Sequence, residues 1–155
     1  MNKIKLIKAI ALPLLVGALS SVLTGGGMLS FDMLSKPPLS PPGWLFPVVW
    51  TILYVLMGIA SYLVAESDAD EARKERALSI YYYQLVVNFL WPVFFFSFEW
   101  YLFAFLWLVL LWVLIILMIK SFYDISKPAA YLCIPYLIWV TFAGYLNFGI
   151  WWLNR

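Results

Sequence analysis

Charge is confined to a few short places in this 155-residue chain, and that spacing limits what the chain can fold into. The charged side chains are Lys3, Lys5, Lys8, Asp32, Lys36, a cluster from Glu66 to Arg76, Glu99, Lys120, Asp124, Lys127 and Arg155. Between them run five uncharged stretches, 9–31, 37–65, 77–98, 100–119 and 128–154, which together hold 121 residues. About 20 apolar residues in a helix cross the hydrocarbon core of a bilayer. A helix satisfies its own backbone groups there, and these continuous apolar runs lack the alternation of a membrane barrel strand. The sequence therefore predicts an all-α integral membrane protein, a five-transmembrane-helix bundle forming one domain over 1–155. The helices are expected at about 7–23, 44–65, 78–97, 100–119 and 129–152. The first stretch also has the basic start and apolar middle of a signal peptide, with Ala18-Leu19-Ser20 as a possible cleavage site. Its removal would leave four spans.

The basic residues give an orientation. With five spans, the N-terminus shares a side with 66–76 and 120–127, and that side holds eight of the ten Lys and Arg. Only Lys36 and Arg155 fall on the other. The N-terminus is expected in the cytoplasm and the C-terminus outside, in a cytoplasmic-type membrane, with the 25–43 loop on the outer face.

Composition removes much chemistry. There is no histidine, and so no imidazole base, metal ligand or haem ligand. The single cysteine, Cys133, cannot form an internal disulfide and reads as a small buried hydrophobe. No charge lies deep in a span, as ion-coupled carriers and proton pumps usually need. A net charge of +2 is too small for nucleic-acid binding. No catalytic residue and no metal site is expected.

Gly17, Ala18 and Ser21 in the first span permit close helix contact, and Gly25-Gly26-Gly27 ends it. The loop 25–43 follows, with Lys36-Pro37-Pro38-Leu39-Ser40-Pro41-Pro42-Gly43. Four prolines in six residues exclude helix and stiffen it. It is either a lid or a simple connector. The acid–base cluster 66–76 reads as a solvated connector, helical at most at its ends. In the second span Trp50, Tyr54, Gly58 and Ser61 share a side. In the third, Gln84, Asn88 and Trp91 share a face just before Pro92, which frees a carbonyl near position 88 and kinks the helix. Two amides within a span serve either interhelical hydrogen bonds or a polar pocket. The fourth span reads as lipid-facing throughout, with Ala104 its only small residue. In the fifth, Trp139, Ala143 and Asn147 form a stripe beside Leu146, and Ala143-Gly144 leaves room for a helix or a flat ligand.

Nine Trp, ten Tyr and twelve Phe are the remaining resource. Trp44, Trp100, Trp151 and Trp152 lie near helix ends, where interfacial aromatic belts form. Trp50, Trp91 and Trp139 lie deeper and are candidates to line a cavity.

The ordered set Lys36-Pro37, Pro41-Pro42, Trp50, Leu53-Tyr54, Met57-Gly58, Gln84-Leu85, Asn88, Trp91-Pro92, Phe94-Phe95, Pro135-Tyr136-Leu137, Trp139, Phe142-Ala143 and Leu146-Asn147 resembles the TspO/MBR family. That family comprises the bacterial tryptophan-rich sensory proteins and the mitochondrial translocator protein, or peripheral benzodiazepine receptor. The resemblance runs from the first helix to the last residues. It implies a five-helix bundle, usually a homodimer, with a pocket closed by the loop between the first two helices. It implies a receptor or carrier for porphyrins, including protoporphyrin IX and haem, and for isoquinoline carboxamides and benzodiazepines, with a regulatory or stress role and no obligatory cofactor. By position, Trp50, Asn88, Trp91, Trp139, Ala143 and Leu146 would line the pocket, with Gln84 on the same wall and Tyr54, Phe142 and Asn147 beside them. The lid would include Phe31, Lys36, Pro37, Pro41 and Pro42. Porphyrin propionates would lie at the outer mouth, near Lys36 and Arg155. Two rival readings are light- and oxygen-dependent porphyrin breakdown, and a signalling partner that binds no small molecule. Ser30-Phe31 and Leu39 stand where the family often has Trp-Tyr and Trp, so this lid is less aromatic. Phe148 stands for the Tyr of the cholesterol-type pattern, with Arg155 seven residues on. Cholesterol recognition is not expected.

Overall fold

The computed structural model describes residues 1–25 and 27–155 of the chain, apart from the side chains of residues 28 and 29. Its helices are α1 (Lys3–Leu23), α2 (Met28–Met33), α3 (Leu45–Ala65), α4 (Glu71–Pro92), α5 (Tyr101–Tyr123), α6 (Lys127–Leu132) and α7 (Ile134–Leu153), and no strand occurs among the described residues. A π-helical turn, Val93–Ser97, continues α4. Five bodies are long and apolar enough to cross a membrane: α1, α3, α4 with its π turn, α5, and α6 with α7.

Local chemistry sets the helix starts. The Asn2 side chain accepts hydrogen bonds from the Ile4 and Lys5 amides at 3.1 and 3.2 Å. Asp70 accepts from the Arg73 amide at 2.8 Å, and Ser126 from Ala129. Such caps satisfy amide groups that the first helical turn leaves free. The Asp70 cap explains why α4 begins at Glu71 rather than near 78, so half of the charged connector is helix. The fifth span is not one helix either, because it turns at Cys133 between α6 and α7.

Around the bundle, α1 packs on α3 and α4, α4 on α5, and α5 on α7, while α6 packs on α3 and α5. The closest approach of a glycine to another backbone is at Gly58, where an added Cβ would sit 2.5 Å from Ile10 Cα and 2.7 Å from the Ala9 carbonyl oxygen. Helix α5 departs from expectation. It buries Ala104, Leu108, Leu111, Ile115, Met118 and Phe122, a stripe spaced four and three apart, against the bundle. Only its other faces meet lipid.

Three contacts gather the basic segments at one end of the bundle. Lys5 pairs with Glu66 at 2.8 Å, the Asn2 amide donates to the Tyr62 hydroxyl, and Arg73 donates to the Asp124 carbonyl at 2.7 Å. The loop after α1 lies at the opposite end.

Candidate functional site

At that loop end the helices separate around a cavity of about 470 Å³, within the range of small-molecule sites. Its walls follow from helical spacing. Helix α1 contributes Leu14, Gly17, Ala18, Ser21 and Thr24, which fall on one side, with Ser20 beside them. Helix α3 contributes Phe46, Pro47, Trp50, Thr51 and Tyr54. Asn88, Trp91, Pro92, Phe95 and Phe96 come from α4 and its π turn, and Ala143, Leu146, Asn147 and Ile150 from α7. Gly27 and Phe31 close the top. Among the described residues no charged side chain lines the cavity. Ala18, Ser21, Pro47 and Thr51 are exposed, so the cavity opens sideways between α1 and α3.

The π turn shapes one wall. Pro92 cannot donate a backbone hydrogen bond, and the Val93 amide turns to Leu90, three residues back. The Phe89 carbonyl instead accepts from the Ser20 hydroxyl at 2.9 Å, tying α1 to α4. The wider turn brings Phe95 and Phe96 to the cavity, with Trp91 stacked on Phe95 at 5.2 Å. The Trp91 indole donates to Asn147 Oδ1 at 3.0 Å, and Asn147 donates to the Tyr101 carbonyl at 2.8 Å. That wall joins α4, α5 and α7 through one buried amide.

The cavity floor is polar on its hidden side. Tyr54 donates to Asn88 Oδ1 at 2.9 Å, and Asn88 Nδ2 donates to the Tyr136 hydroxyl at 2.6 Å. Tyr136 donates to Gln84 Oε1 at 2.7 Å, and Gln84 Nε2 lies 3.7 Å from the Met57 sulfur. All five side chains are buried.

Of the sequence-derived pocket residues, the structure brings Trp50, Tyr54, Asn88, Trp91, Ala143, Leu146 and Asn147 together around the cavity. Three lie elsewhere. Gln84 is one turn below Asn88, behind the floor, fully buried. Trp139 and Phe142 do not line the cavity; they belong to an aromatic run that starts at the lining ring Phe46 and passes through Trp139 and Phe142 to Tyr145. Ala143 faces the cavity, and its neighbour Phe142 is turned from it by the 100° step of a helix. Trp139 packs edge-on to Phe46, a lining ring, at 5.8 Å without itself lining the cavity, and its indole nitrogen is buried without a partner.

The segment after α1 caps the cavity by docking on α7. Gly25 takes a left-handed backbone (φ 55°), and Gly26 lies outside the described residues. The expected irregular loop contains the short helix α2, which buries Phe31 edge-on to Phe46 at 5.2 Å. Ser35 and Asn154 exchange two hydrogen bonds, at 3.1 and 2.8 Å. Pro37 fills a notch at Gly149, where an added Cβ would lie 2.6 Å from its ring. The Tyr145 hydroxyl donates to the Pro38 carbonyl at 2.8 Å. Pro41 and Pro42 carry the chain on to α3 without lining the cavity. The two cations at this end of the bundle do not face the cavity. Lys36 donates to the Asp32 and Leu34 carbonyls, and Arg155 stacks 3.5 Å over Trp152.

Sequence reasoning missed Tyr136 as a network member and Phe46, Phe96 and the α1 wall as lining. The pattern Gly17, Ala18, Ser20, Ser21 and Thr24 was a legible stripe of small residues, but lipid-facing and cavity-facing small residues read alike. Tyr136 carried no such signal.

The family model described as TspO/MBR family matches residues 9–153. The tryptophan-rich protein TspO of Chlorobaculum tepidum is 41% identical over 124 residues, covering 80% of this chain and 78% of that one. Protein CrtK of Rhodobacter capsulatus is 36% identical, covering 89% of this chain and 85% of that one. The translocator protein of Bos taurus is 34% identical, with 93% and 86% covered.

Proposed function

This chain belongs to the TspO/MBR family, a multi-pass integral membrane protein by its five apolar spans, and on that premise we propose that it is a receptor or carrier for tetrapyrroles. The observation that carries the reading is the uncharged cavity of about 470 Å³, walled by Trp50, Trp91, Phe95 and Phe96 and capped by Phe31. A flat apolar guest gains from leaving water or lipid for stacked aromatic contacts. Protoporphyrin IX and haem are the first ligands of that kind, and isoquinoline carboxamides and benzodiazepines have comparable planar bodies. Haem would be held without imidazole, since the chain has no histidine. The proposal extends to a homodimer in a bacterial cell membrane, with the basic end of the bundle in the cytoplasm.

Titration with protoporphyrin IX in nanodiscs tests this through quenching of tryptophan fluorescence. Saturable binding is expected, weakened at least about tenfold by Trp50→Ala or Trp91→Ala, each of which removes an aromatic wall. Affinity unchanged from that of the natural protein in both variants would overturn it.

Trp50 stacks on Tyr54 at 5.6 Å on the cavity wall, which favours a second reading in which the bound porphyrin is degraded under light and oxygen. Loss of the Soret band would then outpace that of free porphyrin in the same nanodiscs without protein.

A further inference from the structure

The chain of hydrogen bonds beneath the cavity has a direction, and Met57 fixes it. A thioether sulfur accepts and never donates. The Gln84 amide therefore turns its NH₂ to Met57 Sδ, 3.7 Å away, and its Oε1 to Tyr136. Facing an acceptor, the Tyr136 hydroxyl donates to Gln84 at 2.7 Å, and its oxygen is left to accept from Asn88 Nδ2 at 2.6 Å. Asn88 Oδ1 is thereby aimed at Tyr54, whose hydroxyl donates to it at 2.9 Å. Reversing any amide would set oxygen against oxygen or oxygen against sulfur. Asn88 has two N–H groups, and only one is used by Tyr136. Asn88 and Tyr54 line the cavity, whereas Met57, Gln84 and Tyr136 do not.

We propose that Met57, Gln84 and Tyr136 are positioning residues that hold Asn88 as a hydrogen-bond donor at the cavity floor. The site then selects flat ligands that carry an uncharged acceptor, a carbonyl oxygen or a ring nitrogen, at their deep edge. This rests on the flat-ligand reading above and adds a rule of selection to it. No charged side chain among the described lining residues competes for that acceptor.

Two probes of nearly equal shape separate the donor from the slot. They are benzanthrone and the hydrocarbon in which its carbonyl is a methylene, each titrated into the full-length protein in nanodiscs and corrected for partition into empty nanodiscs. The ketone is expected to bind about tenfold more tightly than the hydrocarbon, as one net hydrogen bond provides. Its carbonyl stretch should fall in frequency when bound. Tyr136→Phe should reduce the preference to about twofold or less and restore the stretch, with hydrocarbon affinity unchanged. Met57→Leu keeps the volume, removes the directing sulfur, and should lower the preference two- to threefold even if Tyr136→Phe fails to fold. Equal affinity of both probes in the natural protein would overturn the donor but leave the slot standing. Variants that leave the preference unchanged, or weaken both probes alike, would overturn the positioning role of Met57 and Tyr136. If neither probe binds saturably, the flat-ligand reading falls with it.

Discussion

Two glycines separate close packing from mere flexibility, because the same substitution has different effects at each. Gly58 and Gly144 both lie inside membrane-spanning helices, α3 and α7. Alanine at either removes the helix-interior cost of glycine, about 1 kcal/mol. That gain is common to both sites and cancels in their difference. At Gly144 the new Cβ would meet only Leu108 Cδ2, at 3.9 Å, an ordinary contact. At Gly58 it would meet the Ile10 Cα at 2.5 Å and the Ala9 oxygen at 2.7 Å, and neither backbone atom can rotate away. Comfortable separations are about 3.5–4.0 Å, so α1 must retreat by about 1 Å. Overpacking of this kind costs about 1–3 kcal/mol. The G58A protein should therefore be less stable than the G144A protein by about that amount, with G144A at or above the natural protein. Unfolding in mixed micelles, followed by tryptophan fluorescence, measures the difference. Because α1 is a cavity wall, G58A should also weaken ligand binding several-fold while G144A leaves it unchanged. Equal stability of the two variants would refute the close α1–α3 approach.

The indoles allow a second contrast. Trp91→Phe leaves the buried Asn147 oxygen without its donor and should cost about 1–3 kcal/mol, whereas Trp139→Phe removes a buried N–H that has no partner and should cost no more than about 1 kcal/mol, with ligand affinity intact. The same unfolding assay compares them. Asn154→Ala removes both bonds to Ser35 and should speed ligand release several-fold in stopped-flow measurements, because those bonds tie the cap to the end of α7. With no histidine in the chain and no charge among the described lining residues, affinity for an uncharged flat ligand should be constant from about pH 6 to about pH 8. An inflection in that range would mean that a titrating group reaches the site.

Polarity was legible in the sequence wherever lipid makes polarity costly. The eighteen charges marked the span limits, and Pro92 marked the break in α4, because lipid cannot satisfy a charge or a freed carbonyl. Asn88, Trp91 and Asn147 stood out as polar or amphipathic groups that must find partners inside, and all three line the cavity. The seven expected residues that converge there were reached by helical spacing together with the family resemblance.

What the sequence could not rank was one apolar residue against another. Lipid tails are as apolar as leucine, so hydropathy does not tell a helix's packed face from its lipid face. Helix α5 reads as uniform, yet packing buries the stripe from Ala104 to Phe122. Trp139 and Trp50 carry the same indole at comparable depth, and only the separation of α3 from α7 put one outside the wall and the other within. Gln84 shares a face with Asn88, but the cavity ends one turn above it, and Tyr136 from α7 completes the hidden network. Covalent order and the cost of burying charge determined how many spans there are and their approximate limits. The distance between α1 and α3, set by Gly17 and Gly58 against Tyr54 and Ile10, and the seating of Pro37 of the loop at Gly149 decided where space remains.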